Sequence, residues 1–339
     1  MKLTDYRPFG RTGLKVSPVT LGCMMFGGRT GLEESCRIID HALDAGINVL
    51  DTANVYNEGR SEEVTGAALK RNGRRDRVIL CTKVHGVMDK SDPNGLGNTR
   101  RHLIAQCEAS LRRLQTDWID LYQLHRPQPE VAIDETLRAL DDLVRAGKVR
   151  YVGTSTFGAW QVVEALWCAR DLGLNRPVSE QPPYNLLDRR IERELLPMAQ
   201  TFGIATIPWS PIAGGLLTGK YRPDQPPPEG TRFFEYAKNP FLARRWTAAA
   251  LDAVEQFKPL AAAKGCTLSQ FALAWVLQRP GVTSPIIGPR TFAQYEDNLG
   301  ALAVAFTPAE LARIDELAPP GTSVAPFYEA NFGPHPHRW

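Results

Sequence analysis

Most of the features that mark secreted, metal-bound, membrane-spanning or nucleotide-hydrolysing proteins are missing from this chain. Its six cysteines (Cys23, Cys36, Cys81, Cys107, Cys168, Cys266) are widely spread and include no C-x-x-C pair. That argues against a disulfide frame or a zinc site and fits the reduced, buried thiols of a cytoplasmic protein. No window approaches ~18 uninterrupted apolar residues, so no membrane span is expected. The opening MKLTDYRPFGRTG has no apolar stretch of signal-peptide length. A net charge of +3 over 339 residues is too small to imply a nucleic-acid partner. The one basic cluster, Arg71, Arg74, Arg75 and Arg77, is interrupted by Gly73 and Asp76 and reads as a solvated turn. His335 and His337 form a pair without a visible third ligand, so no metal is expected and the tail reads as flexible.

Two phosphate-binding patterns also fail. Gly214-Gly-Leu-Leu-Thr-Gly219-Lys220-Tyr221 nearly matches G-x-x-x-x-G-K-[ST], but Tyr221 replaces the magnesium-binding hydroxyl and the following prolines block a helix. No strand runs into G-x-G-x-x-G either, since Gly22-Cys-Met-Met-Phe-Gly27-Gly28 has the wrong spacing. A nicotinamide cofactor, if used, is therefore not held by a doubly wound dinucleotide-binding unit.

What is present is ordinary globular composition, 43% hydrophobic and 23% charged, in a strict alternation. A hairpin is expected around the turn Gly10–Gly13. Short apolar runs follow at Val19–Leu21, Asn48–Asp51, Val78–Thr82, Ile119–Leu124, Val149–Thr154, Val178–Gln181, Ala205–Trp209 and Ser284–Ile287. Amphipathic helical patterns separate them, including Glu33–Ala45, Arg101–Leu114, Ile133–Ala146, Ala159–Leu172 and Leu268–Arg279, with stop glycines at Gly46, Gly147 and Gly173. Such alternation allows an open doubly wound sheet or a closed barrel. The strand ends decide between them. Gly22, Asp51, Lys83, His125, Ser155, Gln181, Ser210 and Gly288 place functional residue types at eight successive ends, as a barrel requires and a single switch point does not. The expected fold is α/β, a (β/α)8 TIM barrel in one domain spanning residues 1–339. The gap after Trp209 holds a lid insertion over about 211–265, with a further helix near Ala249–Lys264. A C-terminal helix and tail occupy about 307–339.

The densest chemistry lies in Asp51-Thr-Ala-Asn-Val-Tyr56-Asn-Glu-Gly-Arg-Ser61-Glu62. Asp51 closes a strand, Tyr56 sits in the following loop, and Ser61 and Glu62 open a helix whose N–H groups they are expected to satisfy. Lys83 and His125 end the next two strands. In a barrel these side chains converge on one mouth, which suits carbonyl reduction. A tyrosine hydroxyl supplies the proton, and its ordinary pKa of ~10 makes it reluctant at neutral pH. A lysine ammonium ~4 Å away, at an effective dielectric of ~20, favours the phenolate by about 4 kcal/mol. Asp51 keeps Lys83 charged, and His125 orients the carbonyl oxygen. Taken singly, Asp51 also reads as a helix cap, Tyr56 as a loop aromatic, and Lys83 as a Schiff-base lysine of a barrel aldolase.

The run DTANVYNEGRSEE, with Lys83 and His125 at later strand ends, resembles the aldo-keto reductase signature. The resemblance continues through GTSTF (153–157), SEQPPYNLLDR (179–189), PWSPIAGGLLTGKY (208–221) and SPIIGPRTFAQYEDNLGA (284–301). The insertion after Trp209 is similar to the branch containing potassium-channel β subunits and related bacterial reductases. The resemblance implies NADPH-dependent reduction of a small-molecule aldehyde or ketone without a metal, with Asp51, Tyr56, Lys83 and His125 as a catalytic tetrad. It implies cofactor contacts from Gly22, Asp51, Ser155, Gln181, Trp209, Ser210, Leu216, Gly219, Lys220, Gly288, Arg290, Gln294, Asp297 and Asn298. Among these, Arg290 is the residue for a ribose 2′-phosphate. Two departures stand out: Thr156 replaces the usual Asn after Ser155, and Asp297 stands where Glu is common. The same likeness permits a second role, an NADP(H)-binding regulatory subunit with little turnover. The substrate pocket is expected from Met24, Met25, Tyr56, His125 and Trp160. Phe26, Phe233, Phe234 and Phe327 are further aromatics for its wall or for packing. An exposed aromatic lid would equally serve a homo-oligomer contact.

Overall fold

The computed structural model describes residues 1–327. A short antiparallel hairpin, β1 (Arg7–Pro8) and β2 (Lys15–Val16), precedes eight parallel strands. These are β3 (Thr20–Gly22), β4 (Val49–Asp51), β5 (Ile79–Val84), β6 (Ile119–Leu124), β7 (Val149–Ser155), β8 (Pro177–Gln181), β9 (Ala205–Thr206) and β10 (Ile286–Ile287). The helices that alternate with them are α1 (Leu32–Ala45), α2 (Arg60–Asn72), α3 (Arg100–Leu114), α4 (Ile133–Arg145), α5 (Ala159–Leu172) and α6 (Leu195–Phe202). After β9 come α7 (Arg232–Tyr236), α8 (Pro240–Ala243), α9 (Ala248–Ala263) and α10 (Leu268–Leu277). After β10 come α11 (Phe292–Leu299) and α12 (Pro308–Leu317).

Neighbouring strands pair in chain order from β3 to β9, and β10 pairs with β3. The ring closes where the chain before and within β10 donates to the end of β9: Thr283 N to Thr206 O at 2.9 Å and Ile286 N to Pro208 O at 2.8 Å. All eight apolar runs expected from the sequence are strands, and the result is the (β/α)8 barrel. Helix ends follow the expected punctuation. Gly46, with φ 104°, takes a conformation closed to other residues without strain and caps α1 by donating to Ala42 and Leu43 carbonyls.

Strand periodicity then positions the site. Side chains alternate faces along a strand, so Val49 and Asp51 share a face, as do Cys81 and Lys83, Leu121 and Gln123, and Ser179 and Gln181. The lower members of this set, Val49, Cys81 and Leu121, form one apolar cluster with Ala205, Ile207 and the hairpin's Phe9 and Val16. The hairpin thus packs against the apolar members of the inward face. One step further along each strand the same face turns polar. The opposite parity, Leu50, Leu80 and Tyr122, joins the larger core under the helices.

The segment over 211–265 holds the tight turn Ala213–Thr218 followed by α7, α8 and α9. Of the tail, residues up to Phe327 are described; Val324 N donates to Leu187 O, and Thr247 Oγ1 donates to Val324 O. His335 and His337 lie outside the described residues. Among the described residues no single helix is long and apolar enough to cross a membrane. The apolar pair α9 and α10 bends by 89° between its members, and α10 is core.

Candidate active site

At the strand ends, Asp51, Tyr56, Lys83 and His125 meet. Lys83 Nζ donates to Asp51 Oδ1 at 2.5 Å, to Thr52 O at 2.8 Å and to Tyr56 Oη at 3.4 Å. Tyr56 Oη lies 3.5 Å from His125 Nε2, with the two rings edge to face. The second oxygen of Asp51 accepts from Gln181 Nε2 at 2.9 Å and Gln123 Nε2 at 3.2 Å. The carboxylate is buried but fully bonded, which is the condition for keeping a charge there. Burial pushes the Lys83 ammonium down, yet the charge of Asp51, with smaller help from Tyr56, outweighs it and holds Lys83 above its ordinary value. Burial, reinforced by the charges of Arg126 and Lys83, pushes His125 well below its ordinary value. His125 is therefore a neutral imidazole at pH 7.

Tyr56 is placed by a strained loop. The two residues after it, Asn57 and Glu58, have φ of 50° and 57°, a region disfavoured for both. The strain is held by Asn57, whose Nδ2 donates to Met24 O at 2.9 Å and Phe26 O at 2.8 Å. One side chain thereby ties the loop after β4 to the loop after β3. Ser61 and Glu62 depart from the expected capping role. Both lie inside α2 and are fully buried. Ser61 Oγ donates to Cys23 O at 2.7 Å, while Glu62 bonds Thr82 Oγ1 at 2.5 Å and Arg113 Nε at 2.6 Å. Gly59 occupies the capping position instead, so these side chains anchor α2 to the barrel wall and to α3.

Asp51, Tyr56 and His125 open onto a cavity of about 540 Å³, while Lys83 is fully buried and reaches them from outside its lining. Gly22, Asp51, Ser155, Gln181, Trp209, Ser210, Lys220, Gly288, Arg290, Gln294, Asp297 and Asn298 all line it, as do Met24, Met25, Tyr56 and His125. Leu216, Gly219 and Trp160 do not. Leu216 points into the core, because positive φ at Gly214 (63°) and Gly215 (106°) turns the backbone so that Gly214, Gly215 and Thr218 face the cavity instead. Gly219 lies just beyond that wall, against Lys258 and Leu268. Trp160 sits in the first turn of α5 with 53% of its surface exposed, outside the cavity. Phe26, Phe233 and Phe327 are buried core residues rather than lining. Phe327 packs edge-on against Trp209.

Several bonds explain how the wall is held. Ser155 Oγ donates to Gln181 O at 2.9 Å, and Thr156, at φ 61°, turns the chain out of β7. Asp297 accepts from Gln270 Nε2 at 2.8 Å and Thr267 Oγ1 at 3.2 Å, which fixes α11 against α10. Burial, then the charges of Arg290 and Arg232, push the Lys220 ammonium below its ordinary value. Four arginines that sequence reasoning did not single out also line the cavity: Arg29, Arg126, Arg232 and Arg245. Arg126 directly follows His125, so its strand-end position was a usable signal. Arg232 and Arg245 belong to the segment over 211–265, where no periodicity assigns a face.

A family model described as "Aldo/keto reductase family" matches residues 18–319. The chain is 40% identical over 329 residues to "Uncharacterized oxidoreductase YrpG" of Bacillus subtilis, covering 93% of this chain and 96% of that one. It is 36% identical to "Probable voltage-gated potassium channel subunit beta" of Arabidopsis thaliana, covering 92% and 96%. It is 34% identical to "Versiconal hemiacetal acetate reductase" of Aspergillus parasiticus, again covering 92% and 96%. With a barrel whose polar strand ends converge on one cavity, and a match across nearly the whole chain, the protein belongs to the aldo/keto reductase family of oxidoreductases acting on carbonyl groups.

Proposed function

We propose that the protein reduces an aldehyde or ketone to the alcohol with NADPH, Tyr56 acting as general acid. The observation that carries this reading is the placement of Tyr56 Oη between Lys83 Nζ at 3.4 Å and His125 Nε2 at 3.5 Å on the cavity wall. When bound, the nicotinamide supplies the hydride. Reduction leaves negative charge on the former carbonyl oxygen, and Tyr56 Oη delivers the proton to it. The Lys83 ammonium, kept charged by Asp51, stabilises the phenolate left behind. Neutral His125 orients the carbonyl oxygen by hydrogen bonding through Nε2.

The residues present fit the cofactor. Lys220, Arg232 and Arg290 crowd one wall, and the charges acting on Lys220 are both positive. Such mutual repulsion is relieved by a polyanion, as the pyrophosphate and 2′-phosphate of NADPH would provide. Gly288 leaves open space where any side chain would project, which suits close approach of a ligand. Ser155 and Gln181 would hold the carboxamide, Trp209 would stack on the ring, and Arg290 would bind the 2′-phosphate in preference to NADH. Tyr56→Phe tests the mechanism: turnover, followed by NADPH absorbance with a panel of aromatic aldehydes, dicarbonyls and sugars, should fall ~10²–10⁴-fold. Near-full activity in that variant would remove Tyr56 from the chemistry. A second reading, an NADP(H)-binding regulatory subunit, is favoured by the relatives named as channel subunits. Tight NADPH binding with no turnover on any carbonyl would select it.

A further inference from the structure

Tyr56 stands at the head of a turn that has to be held in shape. Asn57 (φ 50°), Glu58 (φ 57°) and Gly59 (φ 92°) follow it in the left-handed region, one after another. Glycine enters that region freely and other residues at a cost, so such a turn persists only where its surroundings fix it. Asn57 supplies the fixing bonds. Its Nδ2 donates to Met24 O at 2.9 Å and to Phe26 O at 2.8 Å, both in the loop after β3. The two acceptors flank Met25, so one nitrogen clamps a run of three residues. Met24, Met25 and Tyr56 line the cavity, whereas Asn57 does not. The spacing between Tyr56 and the Met24–Met25 part of the wall therefore passes through a side chain that stands behind both.

The residue type meets two demands at once. Two carbonyls need two N–H donors on one atom at short reach, and the backbone needs a residue that tolerates positive φ. Glycine lacks the donors, aspartate offers acceptors only, and glutamine carries its amide one methylene further out; asparagine combines both properties. Gly28 completes the seat from the other loop. A Cβ there would lie 2.5 Å from Asn57 Oδ1 and 2.8 Å from Asn57 Nδ2, so a larger residue displaces the amide. We propose that Asn57, seated against Gly28, is a positioning residue for Tyr56, holding its hydroxyl at the reach from Lys83 and His125 that proton delivery requires. This rests on the reading of Tyr56 as general acid. A misplacement of ~1 Å can cost about 10²-fold in rate, so the clamp has a kinetic consequence although it touches neither cofactor nor substrate.

Two variants test the clamp from its two sides. Asn57→Gly keeps the left-handed backbone accessible and removes both donors. Gly28→Ala, at a position outside the left-handed region, pushes the amide away without changing residue 57. Turnover is measured per NADPH-binding site, with sites counted by fluorescence titration, which takes out any loss of folded protein. In both variants turnover per site should fall about tenfold or more, while the dissociation constant for NADPH changes no more than a few-fold. Fewer sites with unchanged turnover at each would show a structural role alone and overturn the proposal. In a Tyr56→Phe background Asn57→Gly should lower the residual rate little further, since it acts through the missing hydroxyl. An equal loss in both backgrounds overturns it. A crystal structure of Asn57→Gly reads the position without turnover: Tyr56 Oη should move by about 1 Å from its place 3.4 Å from Lys83 Nζ, and an unmoved hydroxyl overturns the proposal. A displaced hydroxyl in a protein whose wild type reduces no carbonyl would instead retain the clamp and defeat the reductase reading.

Discussion

Glu180 offers the sharpest test of how this barrel tolerates buried charge. It lies on β8 with the parity opposite to Gln181, so it faces away from the cavity, and none of its surface is exposed. Oε1 accepts from Phe157 N at 3.1 Å, and Oε2 lies 2.5 Å from Thr154 Oγ1. Thr154 Oγ1 is also 3.2 Å from Ser179 O, which can only accept. A threonine has one hydroxyl proton; if it goes to Ser179 O, Oε2 must carry a proton and donate to Thr154. The electrostatics agree. Burial drives Glu180 up from 4.5 to about 8, against the downward pull of its hydrogen bonds and of Arg126.

A carboxyl that holds its proton more tightly when folded stabilises the fold at low pH. Below pH ~4.5 the folded and unfolded states both carry the proton, and the contribution is fully present. As pH rises the unfolded chain loses the proton first, so stability declines until the folded group titrates near 8. At about 1.4 kcal/mol per pH unit the total loss has a ceiling of about 5 kcal/mol, a large part of the ~5–15 kcal/mol of an ordinary domain. Glu180→Gln removes the titration and keeps the geometry, since the amide donates to Thr154 and accepts from Phe157. Urea unfolding of both proteins at pH 5, 7 and 9 reads the effect. The variant should match the wild type near pH 5 and exceed it by several kcal/mol at pH 9. Parallel decline of the two proteins between pH 5 and 9 would refute the reasoning.

Two further outcomes follow from the geometry. Arg290→Met should raise the dissociation constant for NADPH at least tenfold while changing that for NADH no more than a few-fold, by fluorescence titration; equal losses would deny it the 2′-phosphate. Gly66→Ala should lower stability by about 1–3 kcal/mol, because the added Cβ would lie 2.5 Å from the Leu114 carbonyl where α2 crosses α3. An unchanged thermal midpoint would mean that the two helices part freely.

What was legible in the sequence is what a strict period imposes. Asp51, Lys83 and Gln181 sit two residues beyond Val49, Cys81 and Ser179 on the same strand faces, so finding the strands also finds the polar side chains that meet at their ends. The segment over 211–265 has no such period. Its turn carries two glycines at positive φ, and these send Leu216 inward and bring Thr218 to the cavity, an outcome set by backbone dihedrals rather than by hydropathy. Ser61 looked like a cap because serine before a helix usually is one; here the helix starts one residue earlier, at Arg60 behind Gly59, and the hydroxyl serves the barrel wall instead. Glu180 was invisible for a related reason. A glutamate beside a glutamine reads as two polar residues at a strand end, and only the pleat separates them, sending one to the cavity and the other into the packing beneath α5.

The same contrast explains why the groups that converge at the strand ends were easier to name than the rest of the cavity wall. The separations among Tyr56, Lys83 and His125 are held by rigid strand ends and a loop locked by Asn57. Much of the remaining wall comes from elements outside that strand period, and Arg245 reaches the cavity from the turn between α8 and α9. Arg126 stands between the two cases: it follows His125 at the end of β6, so the strand period reaches it, yet the charge of Arg245, from a segment that has no such period, acts on it.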